Sequence, residues 1–263
     1  MIGFIGAGKM AEAIMAGMLR DAVCQPQDIG IFDIASSRVA DLHVQFGVVA
    51  YDSNAALVTG CDTIILAVKP QNLDAVMEEI SAQVADRCVI SIAAGRMIAG
   101  LERGLPQARI IRVMPNLACQ VGAGMSAICA GRLATDQDME NARRLFSASG
   151  RVCEIEESAF DIVTALSGSG PAFWTQLAEY EQRQAEASGL SAETARTLIL
   201  QTMLGTARVL LETDQSFSDF MNAVASKGGT TAAGLEVLRE SSAADILADV
   251  LRAAAARSEA LQQ

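Results

Sequence analysis

The chain has 263 residues, 51% of them hydrophobic, which is enough to bury a large core without disulfide bonds, and a formal net charge of −11 at pH 7 that argues against a nucleic-acid partner. The six cysteines form no CxxC pair and the single histidine leaves no metal-ligand cluster, so we expect reduced thiols, no bound metal and a cytoplasmic location. No apolar run approaches the roughly 18 residues of a membrane helix, and the N-terminus lacks the pattern of a secretory signal, so we expect no membrane association.

Short apolar segments alternate with amphipathic segments through the first 155 residues or so. Apolar runs bounded by polar residues predict strands that are buried on both faces, and the segments between them have helical periodicity. Such alternation predicts an α/β fold with a mostly parallel, Rossmann-like sheet. The predicted strands are Ile2–Ile5, Ile29–Phe32, Thr63–Val68, Cys88–Ala93, Arg109–Val113, Met125–Cys129 and Gly150–Ile155, and the predicted helices are Ala11–Leu19, Ser37–Phe46 and Leu73–Ile80.

From about Glu157 the chain is rich in Ala, Leu, Glu and Arg, which predicts an all-α second half. We therefore predict a dinucleotide-binding domain over residues 1–156 and a helical substrate-binding and dimerisation domain over residues 157–263. A small apolar helical domain buries its remaining hydrophobic surface well in a homodimer. The predicted helices are Asp161–Leu166, Pro171–Ser188, Ala192–Glu212, Phe217–Val224, Ala232–Glu240 and Ala243–Leu261.

A G-x-G-x-x-A fingerprint at residues 6–11 connects the first strand to the first helix. The first glycine permits the tight turn, the second allows a pyrophosphate to approach the backbone, and the small alanine lets the helix pack closely. The helix N-terminus supplies amides and a positive dipole end. We predict a nicotinamide dinucleotide site with Gly6, Ala7, Gly8, Lys9 and Met10 at the pyrophosphate.

The acidic residue Asp33 ends the second strand, where a carboxylate commonly binds the adenosine ribose hydroxyls of NAD. Ser36, Ser37 and Arg38 follow directly and are suited to a 2′-phosphate. The sequence therefore predicts NADH or NADPH as cofactor without choosing between them.

Three further loops follow strands whose carboxyl ends should meet at the same crevice. The first is Ala67-Val68-Lys69-Pro70, where Lys69 either faces the cofactor or is an ordinary exposed lysine. The second contains Ala94 and Gly95. The third reaches Asn116, which either approaches the nicotinamide or follows a strand that simply ends at a proline.

Two glycine-rich segments interrupt the helical half. Residues 226–231, SKGGTT, must form a turn that either binds a carboxylate through amides and hydroxyls or is a helix start capped by threonine. Residues 167–171, SGSGP, either bring the following helix close to the nicotinamide or form a tight turn between domains; the turn is the preferred interpretation.

Seven segments, in order along nearly the whole chain, resemble the pyrroline-5-carboxylate reductase family: IGAGKMAEAI, AVKPQ, SIAAG, RVMPN, LSGSGPAF, QTMLGTARVLLE and SKGGTTAAGLEVL. The resemblance implies an oxidoreductase of proline biosynthesis that reduces the cyclic imine 1-pyrroline-5-carboxylate to L-proline with NAD(P)H. It also implies a homodimer or a larger homo-oligomer. The glycine fingerprint alone would not be specific, whereas the two glycine-rich segments of the second half are.

Carried over residue by residue, the resemblance assigns cofactor contacts to residues 6–10, to Asn54 and to residues 67–70. It assigns the substrate carboxylate to Ser226, Gly228, Gly229, Thr230 and Thr231, with Thr231 near the ring nitrogen as the candidate catalytic residue. A hydroxyl is a poor acid by itself, so we expect Thr231 to hydrogen-bond the nitrogen and relay a proton from water.

The chain departs from the usual family pattern at residues 117–118, where Leu-Ala replaces the expected Thr-Pro, at Lys227, which replaces a proline, and in the polar stretch over residues 177–184. Loss of the fixed-φ proline loosens the loop over residues 226–231, and Lys227 adds a cation near the predicted carboxylate site. Two alternatives follow from these departures. Instead of reducing 1-pyrroline-5-carboxylate, the chain could reduce a different cyclic imine or imino acid, or it could bind a dinucleotide without catalysis.

Overall fold

The computed structural model describes residues 1–261, in which eight strands form one sheet in the order β3-β2-β1-β4-β5-β6-β7-β8. Every neighbouring pair is parallel except β6 and β7, which run antiparallel. The predicted mostly parallel sheet is therefore confirmed. The strands are β1 (Ile2–Ile5), β2 (Ile29–Phe32), β3 (Val49–Ala50), β4 (Thr63–Leu66), β5 (Cys88–Ser91), β6 (Arg109–Met114), β7 (Gly124–Ala130) and β8 (Gly150–Glu154).

The register aligns the carboxyl ends of the four central strands. Ile5 at the end of β1 pairs with Phe32 of β2 and with Leu66 of β4. Leu66 in turn pairs with Ser91 of β5. The loops that follow these strands consequently leave the sheet at one edge, which is where ligands bind in open α/β sheets.

Helices cover both faces of the sheet and bury two large apolar clusters. In the first helix Ala11, Ile14, Met15 and Met18 recur at helical spacing and are buried, so one face of the helix packs on the sheet. The helices are α1 (Lys9–Arg20), α2 (Ser36–Phe46), α3 (Asn54–Gly60), α4 (Leu73–Ile80), α5 (Ile98–Gly104), α6 (Asp136–Ser147), α7 (Phe160–Val163), α8 (Gly170–Ala187), α9 (Ala192–Thr213), α10 (Phe217–Val224), α11 (Thr230–Glu240) and α12 (Ala243–Ala260).

Two local predictions were wrong. Residues 167–169 do not form a tight turn, because Thr164–Gly168 is a π-helix and Ser169 keeps helical dihedral angles before α8 begins at Gly170. Threonine does not cap α11: Gly229 is its N-cap, and no side chain within residues 1–261 accepts a hydrogen bond there. The helix therefore begins at Thr230, earlier than predicted.

The chain packs as two compact units. One comprises Met1–Ser169 and the C-terminal residues from Ala253, and the other comprises Gly170–Arg252. The domain boundary after residue 156 stays a prediction, and Phe160, just beyond it, is buried with residues of β7 and α5. Within residues 1–261 no helix is both long enough and apolar enough to cross a membrane.

Asp138, in the first turn of α6, forms a buried charged hydrogen-bond cluster. Its carboxylate accepts hydrogen bonds from Arg109 Nε and Nη2 at 2.8 and 3.1 Å and from the Thr135 amide and hydroxyl at 2.9 and 2.6 Å. Burial alone would raise the pKa of this carboxyl, but the hydrogen bonds from Arg109 and Thr135 outweigh it and lower the pKa. The ionised carboxylate is therefore the form that the fold stabilises.

We expect Asp138→Asn to lower the free energy of unfolding by about 2–3 kcal/mol at pH 7. A lowered pKa contributes stability that is fully present above the unfolded value near pH 4 and is lost as pH falls through the folded value. Urea unfolding from pH 7 to 3 should therefore show a steeper acid loss for the wild type than for the variant. Asp136→Asn, in the same helical turn but exposed, is the control. Equal acid dependence of wild type and Asp138→Asn would contradict the assignment.

Candidate active site

The loop between β1 and α1 has the backbone conformation that its glycines permit. Gly6 has φ +106°, a region that side chains rarely adopt, and its amide donates to the Phe32 carbonyl at 2.8 Å. A methyl group at Gly6 would lie 2.7 Å from the Ala67 carbonyl oxygen. The turn is therefore closed against the loop after β4.

The N-terminus of α1 is open. Gly8 is the N-cap with φ −70° and ψ 175°, no side chain of residues 1–261 caps the helix, and a methyl group at Gly8 would have no heavy atom within 4 Å. Uncapped amides beside free space at a helix N-terminus suit a phosphate group. The residues present therefore fit the pyrophosphate of a dinucleotide.

Asp33 and Arg38 hold the peptide groups around Ala7 from both sides. Asp33 Oδ2 accepts from the Ala7 amide at 2.7 Å, and its Oδ1 accepts from the Ala35 amide at 2.8 Å. Arg38 Nε and Nη2 donate to the Ala7 carbonyl at 3.2 and 3.1 Å, and Nη2 also donates to Glu12 Oε2 at 2.9 Å. Both side chains brace the glycine loop, a role that the sequence did not predict.

Glu12 completes this cluster in the first turn of α1. Partial burial alone would raise the pKa of Glu12, but hydrogen bonds from Lys9 and Arg38 outweigh it and lower the pKa. Glu12 is thus ionised and forms ion pairs with both Lys9 and Arg38. Ser36 is the exposed first residue of α2, whose N-cap Ala35 gives no side-chain hydrogen bond among the described residues.

The loops after β4 and β5 lie side by side. Lys69 is exposed, pairs with no acidic group among residues 1–261, and precedes a short 3-10 helix over Pro70–Asn72. Gly95 has φ +69° and is buried. Arg96 Nη2 donates to the Pro70 carbonyl at 3.0 Å and to Asp74 Oδ2 at 2.6 Å, so one side chain joins the two loops.

The two predicted asparagines are engaged by protein groups. Asn116 Nδ2 donates to the Ser167 carbonyl and hydroxyl at 3.3 and 3.2 Å, and its Oδ1 accepts from the Met125 amide at 3.1 Å. Asn54 is buried and donates to Glu79 Oε2 at 2.7 Å, whereas its Oδ1 has no partner within residues 1–261. Asn116 thus ties the end of β6 to β7 and to the π-helix.

The loop before α11 lies in the other compact unit. Gly228 has φ +70°, and the Gly229 amide donates to the Ser226 carbonyl at 3.0 Å, which closes a turn. Thr230 and Thr231 begin α11, and the helix N-terminus is uncapped within the described residues. Open amides beside two hydroxyls can donate hydrogen bonds to the oxygens of a carboxylate.

The structure brings together the predicted residues of the loops after β1, β2, β4 and β5 at one edge of the sheet. The loop before α11 belongs to the other compact unit. Sequence reasoning missed Glu12 and Arg96. Glu12 carried a usable signal, because it lies in the first turn of a helix that follows a phosphate-binding fingerprint. The only sequence signal at Arg96 was its position after Gly95, because its partners Pro70 and Asp74 lie more than 20 residues earlier in the chain.

Two family models match the chain. One, described as pyrroline-5-carboxylate reductase dimerisation, matches residues 157–261. The other, described as NADP oxidoreductase coenzyme F420-dependent, matches residues 1–95. The chain is also similar to the pyrroline-5-carboxylate reductase of Methanosarcina acetivorans, with 39% identity over 241 residues, 91% of this chain and 89% of that protein.

Solved structures agree with this similarity. The pyrroline-5-carboxylate reductase of Coxiella burnetii superposes with a TM-score of 0.96 and 33% identity, covering 100% of this chain and 98% of that one. The pyrroline carboxylate reductase of Plasmodium falciparum, solved with NADP bound, gives a TM-score of 0.88 and 29% identity over 100% and 98% of the two chains.

Proposed function

The chain belongs to the pyrroline-5-carboxylate reductase family, and from that membership we propose how its residues reduce 1-pyrroline-5-carboxylate to L-proline with NAD(P)H. The observation that carries this function is the full-length similarity to these reductases. The open N-termini of α1 and α11 support the proposed residue roles, since they offer one anion site in each compact unit.

The glycine loop after β1 binds the pyrophosphate. Amides at the start of α1 donate to its oxygens, Gly8 leaves room for them, and Lys9 adds a positive charge. The loops after β4 and β5, residues 67–70 with Ala94 and Gly95, form the wall of the crevice toward the nicotinamide. Bound NAD(P)H supplies the hydride.

The loop before α11 binds the substrate through its carboxylate. Open amides of Thr230 and Thr231 and the hydroxyls of Ser226 and Thr230 donate to the carboxylate oxygens. This anchoring orients the electrophilic imine carbon, so most of the catalysis is positioning. Thr231 donates a hydrogen bond to the ring nitrogen and relays a proton to it from water.

We expect Thr231→Val to lower kcat by about 10- to 100-fold, because the hydroxyl that assists protonation of the nitrogen is lost. The KM for NAD(P)H should stay unchanged, because Thr231 serves the substrate. Thr231→Ser, which keeps the hydroxyl, is the matched control and should retain most of the wild-type rate. A Thr231→Val enzyme with wild-type kcat would remove Thr231 from the reaction.

The family's dimerisation domain supports a homo-oligomer, and we propose that the unit is a homodimer. Large apolar side chains in the second compact unit are open to solvent in the single chain: Trp174 is 61%, Phe217 77% and Val237 68% exposed. Exposed apolar surface of this extent marks an interaction site. The free cysteines support a cytoplasmic location, and the net charge supports the absence of a nucleic-acid partner.

The deciding experiment follows the loss of reduced-nicotinamide absorbance with pyrroline-5-carboxylate, using NADH and NADPH in parallel. Steady oxidation that depends on the imine is expected. Cofactor binding without oxidation would contradict the proposal, and a panel of other cyclic imines would then test the altered-substrate alternative suggested by Leu117 and Lys227. The ratio of kcat/KM for the two cofactors measures the influence of Asp33, Ser36 and Arg38 at the adenosine ribose.

A further inference from the structure

Arg96 forms a two-acceptor link between the loops that follow β4 and β5. Its Nη2 atom donates to the Pro70 carbonyl at 3.0 Å and to Asp74 Oδ2 at 2.6 Å. Pro70 directly follows the exposed Lys69, and Asp74 lies in the first turn of α4. Arg96 itself follows Gly95, so the guanidinium spans from one loop of the crevice to the other.

The loop that carries Arg96 is also held on another side. A methyl group at Gly95 would lie 2.9 Å from Leu261 Cβ, so Leu261 packs against this glycine. The φ of +69° at Gly95 then sets the direction in which the chain continues to Arg96. The Arg96 link and the Leu261 contact together fix the position of this loop relative to the loop after β4.

This link contributes little to global stability. The Arg96 side chain is 28% exposed and Asp74 is 67% exposed, and ion pairs in such surroundings are largely offset by hydration and side-chain entropy. A contact that adds little stability but joins two loops at the ligand edge has its main effect on the shape of that edge. Binding of a ligand across both loops depends on their spacing.

We propose that Arg96 is a positioning residue for the nicotinamide cofactor, and that it fixes the spacing of the loops over residues 67–70 and 93–96 before the cofactor binds. This inference rests on the proposed function, which places the cofactor between these loops. A single guanidinium nitrogen, Nη2, holds the carbonyl and the carboxylate together. A lysine ammonium can also donate to two acceptors, but its flexible stem holds them less firmly, so lysine at this position should keep only part of the link.

The test compares Arg96→Met, Arg96→Lys, Asp74→Asn and the Arg96→Met/Asp74→Asn double variant. NAD(P)H binding is titrated by its fluorescence, and KM for cofactor, KM for imine, kcat and Tm are measured. Arg96→Met should raise the Kd of NAD(P)H by about 5- to 10-fold and leave the KM for imine unchanged. Its Tm should shift by less than about 3 °C, and Arg96→Lys should recover part of the affinity.

The double variant separates geometry from charge. If Arg96 acts by joining the loops, the double variant binds as weakly as Arg96→Met; if Asp74 merely repels the cofactor once unpaired, the double variant regains affinity and the proposal is overturned. Arg103→Met removes an exposed cation in the last turn of α5, outside both loops, and should bind NAD(P)H normally. A wild-type Kd for Arg96→Met also overturns the proposal. A wild type that fails to bind NAD(P)H would instead refute the proposed function.

Discussion

A Gly6→Ala substitution is expected to lower the free energy of unfolding by roughly 2–6 kcal/mol and to abolish measurable cofactor binding. Gly6 has φ +106°, so alanine would be strained at this position. Its methyl group would also lie 2.7 Å from the Ala67 carbonyl oxygen and 2.8 Å from the carbonyl carbon. Both atoms are backbone of the loop after β4, so relief of the clash requires displacing a crevice wall.

Gly8→Ala is the informative partner of this variant. Gly8 has an ordinary φ of −70°, and its added methyl group would meet no heavy atom within 4 Å. Urea unfolding without cofactor should therefore differ from wild type by no more than about 1 kcal/mol. The NAD(P)H fluorescence titration should nevertheless show at least about a tenfold rise in Kd, since the methyl group occupies space proposed for the pyrophosphate. Wild-type affinity of Gly8→Ala would place the pyrophosphate elsewhere.

The same glycine loop shows which parts of the fold were accessible from sequence. The strand, turn and helix around residues 2–20 could be predicted because apolar periodicity and the glycine spacing are local signals. The edge strand Val49–Ala50 was missed because two residues carry no alternation. Helices α3 and α5, of seven residues each, are too short for a clear periodic pattern.

Roles that depend on distant partners could not be predicted. Asp33 was expected to bind the ribose, and nothing local indicated that its carboxylate accepts from the Ala7 amide 26 residues earlier. Arg38 was considered suited to a 2′-phosphate, and nothing local indicated that its guanidinium also donates to the Ala7 carbonyl and to Glu12. Residue type and position thus predicted candidate ligand contacts, whereas the hydrogen bonds to Ala7 and Glu12 depend on pairing between distant parts of the chain.

A second large effect on the free energy of unfolding is expected at the ion pair of Arg112, which lies in β6 and is 3% exposed. Its Nη1 donates to Glu157 Oε1 at 2.9 Å, and its guanidinium carbon lies 4.4 Å from the centre of the Phe160 ring. The same Glu157 oxygen accepts from the Ile98 amide at 2.6 Å. The Glu157 carboxylate therefore neutralises the buried Arg112 cation and accepts a hydrogen bond from the first amide of α5. All of these groups lie in the first compact unit.

We expect Glu157→Gln to lower the free energy of unfolding by about 3–5 kcal/mol, because the amide keeps the volume and the acceptor for Ile98 but leaves the Arg112 charge uncompensated. Urea unfolding at pH 7 measures this change. Glu156→Gln, at the exposed neighbouring position, should change it by less than about 0.5 kcal/mol. A similarly small effect of Glu157→Gln would mean that Phe160 and the backbone alone neutralise the guanidinium.

Removing the Arg112 cation as well should restore most of the free energy of unfolding that Glu157→Gln loses. Arg112→Met replaces the buried charge by an apolar chain that still packs on Phe160, and Glu157, 25% exposed, remains hydrated and bonded to Ile98. The Arg112→Met/Glu157→Gln double variant is therefore expected to be more stable than Glu157→Gln alone, with a coupling energy of about 2–3 kcal/mol between the two sites. Additive costs would instead show that each side chain acts through packing, and that the buried charge pair is not what fixes Glu157 against β6.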